Sequence, residues 1–98
     1  MGKKIFISMP MNGKTDKKIK EELEQAKRRI IDEYHDVDFI DSYFGDTEAE
    51  DPIEMLGKSI SLMAEADAIY FCDGWESARG CRIEHEVATQ YVKECIYE

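Results

Sequence analysis

The chain is poor in several things that would otherwise point to a function. It has three cysteines, Cys72, Cys81 and Cys95, spaced nine and fourteen apart, with no Cys-x-x-Cys pair. An odd, widely spaced set is no disulfide framework, so free buried thiols are expected. No stretch approaches the roughly 18 consecutive apolar residues of a membrane-spanning helix. The basic start, Met1-Gly-Lys-Lys4, is followed by only three apolar residues before Ser8. That is too short for a signal peptide, and a cytoplasmic location is expected. Phe6 stands where a myristoylation signal needs Ser or Thr. Basic residues are scarce: 13 Lys plus Arg face 22 Asp plus Glu, for a net charge of −9. This excess argues against nucleic-acid polymers and anionic membranes as partners, since both demand a basic surface. Repeats, linkers and low-complexity segments are absent as well.

What is present is a patterned chain of 98 residues, 43% hydrophobic and 36% charged, enough for a single domain spanning 1–98. Lys4 to Ser8 reads as a β-branched and aromatic strand, ended by the turn cluster Met9-Pro-Met-Asn-Gly13. Thr15 and Asp16 are good N-cap types for a helix with Ile19, Leu23, Ala26 and Ile30 on one face. Val37 to Ile40 is a second strand, closed by Asp41-Ser42 and followed by an acidic loop from Gly45 to Asp51. Pro52, at the N1 position behind Asp51, opens a second helix. Its apolar face is Met55, Leu56, Ser59, Ile60, Met63 and Ala64, with Met55 and Met63 read as core. Ala68 to Cys72 is nearly continuous apolar sequence, as in a central parallel strand. A third helix from about Ala78 carries Ile83, Val87, Ala88 and Tyr91, and Glu94 to Tyr97 is a last strand.

The order β-α-β-α-β-α-β, with right-handed crossovers, predicts a small doubly wound parallel α/β sheet with three helices and strand order 2-1-3-4. This is a flavodoxin-like or Rossmann-like arrangement. Ligands of such sheets lie outside the carboxyl ends of the strands, where the winding reverses. Here that switch falls between strands 1 and 3, which selects the loops Met9–Thr15 and Asp73–Gly80.

The first loop offers Ser8, Met9, Pro10, Met11, Asn12, Gly13 and Lys14. It lacks the second glycine and the Lys-Ser/Thr pair of a P-loop. It is either a ligand-lining loop or an ordinary turn with Gly13 at positive φ. The second loop carries Asp73, Trp75, Ser77, Arg79, Gly80 and Arg82 into the third helix. Free N–H groups with nearby arginines make an anion site. Alternatively, Arg79 and Arg82 balance Glu76, Glu84 and Glu86 on the surface. Glu84, one turn into that helix, is either a positioned nucleophile or a partner of the helix dipole. Glu84, His85 and Glu86 point about 100° apart and cannot share one ion, so no metal and no cofactor are expected. Asp41 is expected at the ligand end of the sheet, and Asp67 at the opposite end as a turn or cap residue.

Three segments carry a resemblance: Lys4-Ile-Phe-Ile-Ser-Met-Pro-Met-Asn-Gly13, Ala66-Asp-Ala-Ile-Tyr-Phe-Cys72 and Gly80-Cys-Arg-Ile-Glu84-His-Glu-Val-Ala88. They resemble the nucleoside 2-deoxyribosyltransferases and, more closely, their small phage and bacterial relatives. The spacing of Gly80, Glu84 and Ala88 is the sharpest part of the likeness. The resemblance implies a double displacement on a nucleoside or its 5′-monophosphate, with Glu84 attacking C1′. It implies Asp73 as a base-contacting carboxylate or proton donor, and Ser8 to Asn12 lining sugar and base. It also implies Ser77 and Arg79 near a 5′-phosphate, and a homodimer or higher homo-oligomer completing the site. Gly13, Asp41, Trp75 and Gly80 complete the expected binding set. Departures stand beside it. Transferases of the family extend past the fourth strand, where this chain ends at Glu98. Met9 and Pro10 stand where an aromatic hydroxyl is often found, and Ala78 where some transferases have an acid. Two other classes remain open: a nucleotide-sequestering protein without turnover, and an interaction module.

Overall fold

The computed structural model describes residues 2–41, 43 and 51–98. Strand β1 (Lys3–Ser8) leads to helix α1 (Asp16–Tyr34), then to β2 (Val37–Ile40), α2 (Pro52–Met63) and β3 (Ala68–Phe71). A single 3-10 turn (Trp75–Ser77) precedes α3 (Arg79–Gln90), and β4 (Glu94–Tyr97) closes the sheet. All pairings are parallel and the order is β2-β1-β3-β4, as the alternation of elements requires. The predicted loop from Gly45 to Asp51 lies outside the described residues except for Asp51, and Ser42 lies outside them too.

Side-chain alternation along the strands sorts the core into two layers. Ile5 and Ile7 of β1, with Ala68 and Tyr70 of β3, pack under Ile19, Leu23, Ala26 and Ile30 of α1. Phe6, Ile69 and Phe71 face the other way, onto Met63 and Ala88. The sheet is therefore covered by α1 on one face and by α2 and α3 on the other. Ser8, two residues beyond Phe6, is delivered to this second face at the carboxyl end of β1.

Local chemistry accounts for the helix starts. The Thr15 hydroxyl accepts from the Lys18 N–H at 3.1 Å, and Asp51 accepts from Ile53 N–H at 2.8 Å ahead of Pro52. Gly13 has φ +81° within a turn closed by the Lys14 N–H on the Met11 carbonyl, a conformation that favours glycine. Asp67 is not a cap but a clasp. Its carboxylate accepts from the Lys4 N–H and its own N–H donates to the Lys4 carbonyl, both at 2.8 Å.

The third helix corrects the expected apolar stripe. Its buried residues are Cys81, Glu84 and Ala88, while Ile83 is 38% and Tyr91 77% exposed. At 100° per residue, positions 81, 84 and 88 form one stripe and 83 and 87 the next one round. The sheet selected the stripe with small residues, because Ala88 lets the helix sit close to Phe6, Ile69 and Phe71. A charged residue thereby entered the core. Tyr91 falls beyond the helix end, and Ala64, expected on the α2 face, is its exposed C-cap. The helix begins at Arg79, with Ala78 as a cap that makes no side-chain hydrogen bond. Strand β3 stops one residue early, at Phe71. Cys72 remains buried, and its N–H donates to the Ser8 carbonyl at 3.0 Å.

Candidate functional site

Glu84 and Ser8 are the only buried polar or charged residues among those described, and they meet. The Ser8 hydroxyl, at the end of β1, donates to Glu84 Oε1 at 2.6 Å. Ser59 on α2 contributes a second hydroxyl to the same carboxyl. Glu84 is 8% exposed. Burial pushes its pKa above the usual glutamate range, and the Ser8 and Ser59 hydroxyls partly offset that rise. The groups holding the charge are thus hydroxyl dipoles. Cys81, one turn earlier on α3, is also buried, and burial raises its thiol pKa.

The predicted switch-point loops do adjoin. A Cβ built on Gly74 would sit 3.5 Å from Pro10 Cγ, so the segments following β1 and β3 touch there. Gly74 has φ +89°, which lets the chain turn sharply out of β3. Met9 is buried in the α1-side core and Met11 packs against it, while Asn12 and Gly13 are exposed. Lys14, the cation of this loop, is engaged by Glu22 at 2.6 Å. Asp41 is exposed beyond β2 and accepts from the Tyr43 N–H at 3.2 Å.

The remaining predicted residues gather elsewhere. Asp73, Gly74, Trp75 and Glu76 line a cleft of about 290 Å³ with Phe71, Tyr97 and Glu98. Neither Ser8 nor Glu84 lines it. Helix α3 divides the two places: Glu84 faces β1 and α2, whereas His85, 100° round, faces Trp75 and Tyr97. The Trp75 and His85 ring centroids lie 4.2 Å apart, and His85 Nε2 hydrogen-bonds the Tyr97 hydroxyl at 2.7 Å. Ser77 and Arg79 are exposed and Gly80 is half-buried at the start of α3. Arg82 reaches the Glu76 carbonyl at 3.4 Å. The Asp73 N–H donates to the Glu98 carboxylate at 2.9 Å, and Arg29 lies 3.3 Å from that carboxylate.

Sequence reasoning found Ser8 and Glu84 separately but not as a pair. It also assigned no role to Ser59, His85, Tyr97 or Arg29. Ser59 did carry a signal, being a hydroxyl on an otherwise apolar helical stripe. The His85–Tyr97 contact joins a helix to the next strand and left no trace in local spacing. Among the described residues, no group of three or more His, Cys, Asp or Glu is arranged to hold a metal, and no helix is long and apolar enough to cross a membrane.

A parallel four-stranded sheet with a buried carboxylate at its switch point defines the class of protein. Residues 3–97 match the family described as a domain of unknown function (DUF4406), and the chain belongs to that family. Neither a curated protein nor a solved structure matches it.

Proposed function

We propose that the protein cleaves or transfers the N-glycosidic bond of a nucleoside or nucleotide, with Glu84 as the nucleophile. The observation that carries this reading is the buried Ser8–Glu84 pair at the carboxyl end of β1, beside the switch point. A carboxylate held by hydroxyls on a rigid helix loses little freedom on reaching a sugar carbon. In the first step a Glu84 oxygen bonds to C1′ while the C1′–N bond breaks. Its electron pair leaves with the base, which gains a proton from water. In the second step water or another base attacks C1′ and frees the carboxylate. The resemblance of the Gly80–Ala88 segment to nucleoside 2-deoxyribosyltransferases supports the same assignment. A homodimer belongs to this proposal, since β2 and β4 leave two sheet edges to cover. Sedimentation at 11.4 kDa alone would reject that part.

The experiment is chromatographic detection of free base. Wild type and Glu84→Gln are incubated with deoxynucleosides, ribonucleosides and their 5′-monophosphates. Base released by wild type and lost in the variant supports the mechanism; equal release by both removes Glu84 from it. A second reading, binding of the nucleotide without turnover, is favoured by how little of Glu84 reaches solvent. Saturable nucleotide binding with no base release would select it.

A further inference from the structure

The cleft behind α3 has walls and charges of its own that the glycosidic reading does not use. Its walls are the rings of Trp75 and Tyr97 over buried Phe71. Both rings are fixed before any ligand arrives. Tyr97 stacks on Phe71 at a centroid distance of 5.7 Å and 23°, and its hydroxyl is held by His85. Trp75 packs against both His85 and Phe71, with centroid distances of 4.2 and 5.3 Å, and those two rings touch each other at 5.0 Å. Tyr97 is nevertheless 51% exposed, although Phe71 beneath it is fully buried. The lining carries three carboxylates, Asp73, Glu76 and Glu98. Glu98 has Arg29 as a partner, while among the described residues Asp73 and Glu76 have no ion-pair partner. No lysine or arginine lines the cleft.

From these observations we propose that this cleft binds an organic cation, an alkylammonium headgroup resting on the open side of the Trp75–Tyr97 ring pair, whose centroids lie 5.8 Å apart, and countered by Asp73 and Glu76. The negative faces of aromatic rings attract a cation within about 6 Å of the centroid, and more strongly for a weakly hydrated alkylammonium that sheds water readily. The rings are preorganised, so binding does not have to order them. The overall charge of −9 adds a long-range attraction of the same sign. A volume near 290 Å³ lies at the small end of ligand cavities, which suits a headgroup and not a whole nucleotide. The proposal is independent of the Glu84 reaction, because Glu84 does not line the cleft.

Trp75 is the only tryptophan in the chain and reports directly on this cleft. Its fluorescence is to be titrated with choline and with 3,3-dimethylbutan-1-ol, the uncharged carbon isostere, at constant ionic strength set by NaCl. A neutral-flanked peptide carrying trimethyl-lysine forms a third arm. Choline is expected to give a saturable change, with the isostere about tenfold weaker. Tighter binding of the peptide than of choline would assign the headgroup to a protein side chain, and the reverse to a free metabolite. Tyr97→Leu is expected to weaken choline about tenfold by removing one wall. Glu76→Gln, an exposed change that leaves the packing alone, is expected to weaken it about threefold. Equal affinity for choline and its isostere would overturn the proposal. So would the absence of a saturable change with choline up to about 0.1 M.

Discussion

Replacing Ser8 by alanine isolates the one buried hydrogen bond on which the proposed site depends. Only the oxygen is lost, from a residue that is 1% exposed, so repacking contributes little. Once Glu84 is ionised, the hydroxyl donates to a desolvated carboxylate at 2.6 Å. Such charge-assisted bonds contribute about 1.5–3 kcal/mol, against about 0.5–1.5 kcal/mol for a neutral pair. The cost of Ser8→Ala is therefore pH-dependent. With Ser8 absent the folded carboxyl pKa rises further, so the variant loses more stability as pH climbs through it. Urea unfolding at pH 7.5 should show a loss of about 2 kcal/mol, and at pH 4 a loss of about 1 kcal/mol. For a chain of this size, with a slope of about 1 kcal/mol/M, the midpoint should fall by roughly 2 M and 1 M respectively. A cycle with Glu84→Gln provides the cross-check. In that background the bond is neutral at every pH, and Ser8→Ala should cost about 1 kcal/mol throughout. An equal midpoint shift at both pH values in wild-type background would refute the reasoning. It would mean that Glu84 is already protonated at neutral pH, or that the bond contributes nothing.

Glu84→Gln itself should stabilise the protein at neutral pH. The folded carboxyl pKa is raised, so this group's contribution is complete below the unfolded pKa and is lost as pH rises through the folded one. Thermal melting should show wild type and variant converging near pH 4, with the variant ahead at pH 7.5; a variant less stable at pH 7.5 would contradict the direction of the shift. Ala88→Leu should cost about 1–3 kcal/mol, because the alanine is fully buried against Phe6, Ile69 and Phe71 and the larger side chain must push α3 off the sheet. Denaturant unfolding measures it, and a neutral result would mean that α3 can shift freely. The Cys72 thiol, its pKa pushed up to about 12 by burial, should resist alkylation at pH 8 until the protein unfolds. Mass mapping of native protein with early labelling at Cys72 would contradict its placement.

The strands and first two helix starts were legible because each rests on local chemistry. Alternation, a Thr15 cap and a Pro52 behind Asp51 act within four residues. Strand order followed too, since parallel strands joined by helices admit few windings. The facing of α3 was not legible. Its sequence offers two neighbouring stripes, one with Ile83 and Val87 and one with Cys81, Glu84 and Ala88. Counting apolar residues selects the first. The sheet selected the second, because closeness to Phe71 depended on Ala88 being small. The candidate nucleophile was therefore named through the resemblance carried by Gly80, Glu84 and Ala88, while its burial and its serine partners came only from packing across three elements.

That same choice explains why one short helix can serve two places. Turning Glu84 inward to Ser8 and Ser59 sets His85 about 100° away, against the rings of Trp75 and Tyr97. Rotating the helix to bury Ile83 would gain apolar burial but would withdraw the carboxylate from β1 and the imidazole from Tyr97 together. The observed orientation accepts a desolvated charge and a 38% exposed isoleucine in its place. The close packing of Ala88 thus comes with a buried carboxylate that only hydroxyls solvate, which is costly. A helix that carries a desolvated titratable group into the core and aims it at the switch point is what a functional constraint on Glu84 would produce.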